Sequence, residues 1–277
     1  LEKLKEDGLA GNTVVFFLGD HGRAMPRGKQ WCYDGGLRIP LIVYWPESLE
    51  PPKGYEPGTV TDRIVEAIDL AATTLDVAGI EKPAAMQGRI LFGENAEPPR
   101  DAAFGARDRC DETVFRIRTI RTPRYRYIRN FDPEKPFLLL NRYKETSYPT
   151  IPLIRSLYAE GKLDAVQARL ASPEARPAEE LYDLEADPHE VNNLAASPEH
   201  QETLRELRRR LERWIEETHD QGRTPEPEEV VRKWLDNAET NYRERMEAVR
   251  AKWPNAYPLD PRFLNETWLE DRPDDDR

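Results

Sequence analysis

The 277-residue chain has only two cysteines, Cys32 and Cys110, and no apolar run long enough to cross a membrane. Two cysteines cannot build a disulfide framework, so the sequence leaves the redox compartment open. The chain also lacks a basic surplus: 41 Lys and Arg against 52 Asp and Glu give a formal net charge of −11. This balance argues against a nucleic-acid partner. It does not exclude an anionic substrate, because a local cluster of Arg and Lys can still line a pocket.

The apolar content is sufficient for a folded core. Hydrophobic residues make up 38% of the chain and charged residues 34%, which is polar for a globular protein but not typical of disorder. A chain of this length fits one large domain or two modest ones. We divide it into residues 1–97, residues 98–223 and an acidic, helical extension at 224–277, with a linker GENAEPPR at 93–100.

Local patterns predict several elements. In the first segment, Thr61 is the expected N-cap of a helix that stops at Gly79. The second segment is expected to hold strands at 102–107, 114–121 and 125–131, with a hairpin at 122–124. Residues 132–177 show little periodicity and predict loop with one or two short helices. Two later amphipathic helices are predicted, one after Ser197-Pro198 and one at about 227–250.

The most informative stretch is residues 12–46. Val14 to Leu18 form a continuous apolar run, which predicts a strand buried on both faces of a largely parallel sheet. The run leads into Gly19-Asp20-His21-Gly22, at the end of the strand where ligands gather in open α/β sheets. A carboxylate beside an imidazole can hold a divalent metal. On this triplet alone, however, a turn stabilised by the Asp side chain is the better interpretation.

The residues that follow reverse that ranking. Lys29 precedes QWCYDGGLRIP at 30–40 and a second apolar strand at 41–45. This ordered pattern resembles the second signature of the type I sulfatases, which belong to the alkaline-phosphatase-like superfamily. Residues 61–80 are similar to the family helix that follows, and ELYDLEADPHEVNNL at 180–194 is similar to the C-terminal signature of the family. The resemblance extends from residue 1 to about residue 220.

The resemblance implies an α/β fold. It predicts the C-terminal part of an alkaline-phosphatase-like α/β/α sheet domain, followed by a small α+β subdomain with an antiparallel sheet and a closing helix. Asp20 and His21 are then expected to bind a divalent metal, calcium in this family, and Lys29 is the expected catalytic lysine that bridges the sulfate oxygens and the nucleophile. Arg107 and Arg109 are candidates for contacts to the sugar or its sulfate.

One family motif has no match in this sequence. The sulfatases carry their nucleophile as Cys or Ser in Cys/Ser-x-Pro/Ala-x-Arg, where it is oxidised to formylglycine, and neither cysteine nor any serine here fits that spacing. The upstream acidic pair that completes the family metal site is missing as well. We therefore expect the C-terminal portion of a sulfatase, inactive alone, with the formylglycine in the missing N-terminal part. The resemblance also implies a periplasmic or extracellular location.

Three functional hypotheses follow. The first is hydrolysis of a sulfate ester or N-sulfate of a carbohydrate, with a sulfated carbohydrate or another sulfate ester as partner. The second is a phosphodiesterase or phosphonate hydrolase of the same superfamily, since metal and lysine chemistry also serve phosphate. The third is a non-catalytic chain that binds sulfated glycans or a protein. A strand at 13–18 with an unpaired edge disfavours it, and we expect the isolated chain to aggregate or stay molten.

Overall fold

The computed structural model describes residues 1–264, which form two compact units. Unit 1 comprises residues 1–20, 39–103 and 121–124, and unit 2 comprises residues 21–38, 104–120 and 125–264. The predicted domain boundaries near residues 97 and 223 stay predictions. Within the described residues, no helix combines the length and the apolar character that crossing a membrane requires.

Unit 1 contains a two-stranded sheet. Strands β1 (Val15–Leu18) and β2 (Leu41–Tyr44) pair antiparallel. The expectation of a largely parallel sheet, buried on both faces, is wrong for this pair within residues 1–264: Phe17 is 60% exposed and Ile42 58% exposed. An apolar run indicates that both faces of a strand can be buried. It carries no information on the direction of the neighbouring strand, which depends on the path of the connection.

Two helices complete unit 1. The first, α1 (Glu2–Glu6), precedes the sheet. The predicted later helix is α3 (Ala67–Val77), and its N-cap is Glu66 rather than Thr61. The Asp69 carboxylate accepts a hydrogen bond of 2.9 Å from the Glu66 backbone N–H, which closes a capping box five residues after the predicted start. The predicted stop is confirmed, because Gly79 adopts φ +71° just after the helix.

Unit 2 holds most of a four-stranded sheet in the order β3-β4-β5-β6. The hairpin predicted at 122–124 is confirmed, and so are the three strands predicted around it. The last strand is part of the predicted C-terminal signature and pairs antiparallel with β5. The strands are β3 (Ala103–Cys110), β4 (Thr113–Arg121), β5 (Tyr125–Asn130) and β6 (Glu179–Asp183).

Helices supply the rest of unit 2. The predicted late helices are confirmed, and the first of them buries Leu204, Leu207, Leu211 and Ile215. Residues 132–177 contain three helices where one or two were expected. The core of the unit is aromatic and aliphatic, with Trp31 stacked on Phe137 at 3.9 Å between ring centroids. The helices are α2 (Asp34–Leu37), α4 (Arg142–Ser147), α5 (Thr150–Ala159), α6 (Ala165–Ala171), α7 (Gln201–Glu217) and α8 (Glu228–Lys252).

Candidate functional site

Residues 21–38 form a tight loop, called here the lysine loop. The Gly22 N–H donates to the Gly36 carbonyl at 2.9 Å, and the Lys29 N–H donates to the Arg23 carbonyl at 2.7 Å. A Cβ on Gly22 would lie 1.9 Å from the Gly35 carbonyl oxygen, so only glycine permits this approach of two backbone segments. The loop ends in the single helical turn α2. The sequence pattern therefore specifies a compact loop that presents Lys29.

Lys29 is half-buried and its amine has a defined position. Its Nζ donates to the hydroxyl of Tyr143 at 3.2 Å and lies 5.3 Å from the centroid of that ring. An ammonium group has three N–H donors, so this one contact leaves capacity to bind an anion. Sequence reasoning identified Lys29 but missed Tyr143. That residue lies on α4, 114 positions later, and nothing in its local sequence points to the lysine.

The start of α2 is held by a buried ion-pair cluster of Asp34, Arg126 and Glu190, called here the Arg126 clamp. Arg126 is 2% exposed. Its Nη2 pairs with Asp34 Oδ1, its Nε lies 2.7 Å from Glu190 Oε1, and its Nη1 donates to the Cys32 carbonyl at 3.1 Å. Glu190 Oε2 also accepts the Asp34 backbone N–H at 2.8 Å. The clamp therefore fixes both the side chain and the backbone of Asp34.

A second set of contacts joins the same two segments. Arg27 donates to the carbonyls of His189 and Glu190 at 3.1 and 2.8 Å, and its guanidinium lies 3.9 Å from the centroid of the Tyr33 ring. The two stretches that carry the sulfatase resemblance, roughly 150 residues apart, therefore bind each other directly. Burial raises the pKa of the Glu190 carboxyl, and the attraction of Arg126 offsets part of that shift.

Arg38, the arginine that follows Gly35-Gly36-Leu37, does not hold this turn. Arg38 is exposed, and none of the ion pairs within residues 1–264 involves it. Arg126 fixes the turn instead, through the acid of the Asp34-Gly35-Gly36 motif. The sequence could not reveal this, because Arg126 sits in an alternating strand pattern where an arginine is expected to face solvent.

The two arginines predicted to contact substrate have different surroundings. Arg107 is 8% exposed, and its guanidinium lies 4.6 Å from the ring centroids of both Trp31 and Phe115. Burial lowers the pKa of Arg107 to about 10. Arg109 donates to the Glu226 carboxylate at 2.8 Å and lies 4.6 Å from the Trp234 ring centroid. The charge of Arg109 is thus paired, whereas Arg107 is enclosed by aromatic rings.

Asp20 and His21, the predicted metal ligands, are both exposed. Asp20 supplies a hard carboxylate oxygen. His21 Nδ1 donates to the Gly22 carbonyl at 2.8 Å, and an imidazole that donates through Nδ1 can bind a metal through Nε2. No group of three or more His, Cys, Asp or Glu placed to hold a metal occurs within residues 1–264. The pair fits part of a divalent-cation site, since calcium takes about six to eight oxygen-rich ligands.

Comparison with known proteins identifies the family. Residues 1–80 match the Sulfatase family profile. An ulvan-active sulfatase of Formosa agariphila is 38% identical over 234 residues, and the human N-sulphoglucosamine sulphohydrolase is 30% identical over 231 residues. The matches cover 84% and 79% of this chain but only 38% and 45% of the two relatives, so the chain spans less than half the length of either.

Solved structures agree on the fold. A protein solved in complex with its substrate, D-glucosamine-2-N,6-O-disulfate, aligns with a TM-score of 0.54 at 23% identity, over 82% of this chain and 39% of that one. At this identity the likeness concerns the fold alone, and it confirms the predicted mixed α/β architecture with its antiparallel subdomain sheet. By its motifs, its relatives and its fold, the chain is a type I sulfatase sequence of the alkaline-phosphatase-like superfamily.

Proposed function

We propose that the complete protein is a sulfuric ester hydrolase that removes a sulfate ester or N-sulfate from a carbohydrate. The observation that carries this proposal is the position of Lys29, on a glycine-closed loop with its amine braced by Tyr143. The relatives support the substrate class, because one is named for ulvan and another for N-sulphoglucosamine. A sulfated carbohydrate is therefore the proposed partner.

The chemistry of sulfate transfer explains the need for a fixed cation at Lys29. Attack on sulfur breaks the bond to the leaving oxygen, and negative charge develops there and over the sulfuryl oxygens. An ammonium group held in advance near those oxygens stabilises that charge without reorganising in the transition state. Tyr143 restricts the Lys29 amine, so the lysine can bind sulfate and hold a proton near the nucleophile.

The metal and the nucleophile complete the proposal. Asp20 and His21 would hold calcium together with further ligands from outside the described residues, and the bound cation would supply positive charge toward the sulfuryl oxygens. The nucleophile would be a formylglycine outside these 277 residues. Arg109 remains a proposed substrate contact, whereas Arg107 is only 8% exposed and lies over the Trp31 ring. A periplasmic or extracellular location is also proposed, and rests on the family resemblance.

The test compares a substitution at Lys29 with one at a matched surface lysine. The complete protein is produced with a formylglycine-generating system, and sulfate release from ulvan fragments and N-sulfoglucosamine is measured by ion chromatography. Lys29→Met is expected to lower kcat/KM roughly 100- to 1000-fold, the usual effect of removing one charge-stabilising donor. Lys162→Met, whose side chain is 64% exposed, should leave activity unchanged.

Two results would contradict the proposal. One is a matured wild-type protein that releases no sulfate but cleaves phosphate diesters or phosphonates, which would assign it to the second hypothesis. The other is full activity in Lys29→Met. A chelator should also lower the rate reversibly, with recovery on addition of calcium, if Asp20 and His21 serve a metal.

A further inference from the structure

A small cavity, partly open to solvent, is lined by core residues of unit 2. Its volume is about 10 Å³, which suits a single water-sized occupant. The polar side chains that line it are rich in cations: Trp31, Arg107, Thr113, Asn141, Lys144, Glu145 and Arg155. Arg107, Lys144 and Arg155 are only 8%, 6% and 5% exposed. A cavity beside three buried cations requires an explanation, because uncompensated buried charge is costly.

Hydrogen-bond donors on this lining exceed the acceptors. Four buried donor atoms have no hydrogen-bond partner anywhere in residues 1–264: Trp31 Nε1, Arg107 Nε, Arg107 Nη1 and Arg155 Nη1. Buried polar groups in native proteins nearly always find a partner. Four orphan donors on one cavity therefore point to an occupant that accepts hydrogen bonds.

The acceptors on the same lining are already engaged. The Glu145 carboxylate receives Arg155 at 2.7 Å through Oε1 and the Tyr257 hydroxyl through Oε2. Asn141 Oδ1 accepts the Lys144 backbone N–H at 2.9 Å. A water molecule would add two donors of its own and meet few acceptors. An anion, which only accepts, suits this arrangement better.

The net charge of the residues that line the cavity also favours an anion. Glu145 is the one acid among the lining residues, and its charge is matched by Arg155. Arg107 and Lys144 then have no carboxylate in ion-pair contact within the described part of the chain. Both cations lie over the Trp31 ring, at 4.6 and 5.5 Å from its centroid. The aromatic ring attracts them weakly and cannot replace a counter-ion.

We propose that this cavity binds a small monovalent inorganic anion of about the size of chloride, held by Arg107, Lys144 and the Trp31 indole N–H. The volume excludes sulfate and any sugar. The site is separate from sulfate hydrolysis, and it assigns Arg107 a ligand other than the carbohydrate. Anion binding would fix Trp31, a residue of the lysine loop, against the sheet of unit 2.

Binding should be coupled to proton uptake by Lys144. Burial, followed by the repulsion of Arg107, lowers the pKa of Lys144 to about 7, and Lys29 acts in the same direction. The Cys110 thiol and the Glu145 carboxyl face the same amine and raise its pKa. An anion beside the amine favours its charged form, so binding above pH 7 takes up one proton. The apparent affinity should then fall about tenfold for each pH unit above 7.

Bromide provides a direct test in the crystal. Crystals of the complete protein grown with bromide at pH 6.5 are expected to show an anomalous peak inside the cavity, within hydrogen-bond distance of Arg107. The peak should vanish in Lys144→Met and persist in Lys162→Met. Density in the cavity without an anomalous signal would identify a water molecule and overturn the proposal.

A solution experiment keeps the proposal testable if a variant folds poorly. Thermal unfolding of the complete wild-type protein is followed while bromide replaces gluconate in the buffer at constant ionic strength. A saturable rise in Tm is expected at pH 6.5, and at pH 8.5 the bromide concentration at the midpoint should be about 25-fold higher. A linear, non-saturable rise, or the same midpoint at both pH values, would contradict the site. Sulfate release plays no part in this readout, so failure of the proposed activity would not affect it.

Discussion

Replacing Glu190 by glutamine should weaken the Arg126 clamp without changing its shape. Glutamine keeps an acceptor for the Asp34 N–H but loses the charge that lies 2.7 Å from Arg126 Nε. Arg126 keeps Asp34 as its remaining partner. The substitution therefore isolates the contribution of one buried charge to the stability of the lysine loop.

The expected magnitude follows from opposing terms. Two unit charges about 4 Å apart attract by about 4 kcal/mol at an effective dielectric constant of about 20. The raised pKa of Glu190 indicates that the attraction does not fully offset the cost of burying the carboxylate, and a neutral glutamine amide would avoid that cost. We expect a loss of about 2 kcal/mol in the free energy of unfolding.

Urea unfolding of the complete protein, followed by circular dichroism, measures the global effect. The matched control is Glu174→Gln, which removes an exposed Arg–Glu pair with Arg262 at 2.8 Å and side chains 75% and 53% exposed. That change should alter stability by less than about 1 kcal/mol. Hydrogen exchange resolves the local effect: the amides of Gly22 and Lys29, both bonded within the loop, should lose more protection than those of α7.

Either of two results would refute this reasoning. The first is equal stability loss in Glu190→Gln and Glu174→Gln, which would mean that the buried charge has no special role. The second is a global loss of stability with unchanged exchange in the lysine loop. In that case the clamp would stabilise the unit as a whole but would not organise the segment that carries Lys29.

Three further predictions concern single residues. Lys144 has a pKa of about 7 in the folded state and therefore loses its proton at a lower pH than in the unfolded chain. Without halide, the free energy of unfolding should therefore rise by about 2 kcal/mol from pH 7 to 9. Lys144→Met should abolish this pH dependence in urea titrations. Burial opposes ionisation of Asp69, but hydrogen bonds from Arg100 lower its pKa overall. Its contribution to the free energy of unfolding is therefore present above about pH 4 and lost in acid. Asp69→Asn should lower the free energy of unfolding by about 3 kcal/mol at pH 7 and by much less near pH 2. Gly22→Ala would force a Cβ to within 1.9 Å of the Gly35 oxygen and should lower thermal stability by about 2–3 kcal/mol, whereas Gly35→Ala, with its nearest contact at 3.0 Å, should cost less.

Local sequence patterns were sufficient for much of the architecture. The strands around the 122–124 hairpin and the apolar face of α7 follow from periodicities of about two and 3.6 residues. The lysine loop follows from an ordered family motif. The start of α3 could not be predicted in this way, because Thr61 is also a plausible N-cap. The pair Glu66 and Asp69 forms the cap instead, and it is favoured by the further bonds of Asp69 to Arg100.

The parts of the site that the sequence missed depend on partners far along the chain. A fully buried arginine needs a counter-charge, and those of Arg126 lie 92 and 64 positions away in Asp34 and Glu190. Tyr143 and Lys144 give no signal either, since their neighbours RYKETS are typical of an exposed helix. Only the folded chain shows that one braces Lys29 and that the other lies beside Arg107.

The Arg126 clamp also has a consequence for the order of folding. Asp34 meets Glu190 across 156 positions, so closing the lysine loop requires a contact of very large sequence separation, whose entropy cost slows its formation. During synthesis the segment that carries Lys29 leaves the ribosome long before residue 190 exists to bind it. The loop should therefore mature late, as one of the last steps of folding. A ribosome-bound chain halted before residue 190 is expected to have its strands β3 to β5 in place while residues 21–38 remain open to protease.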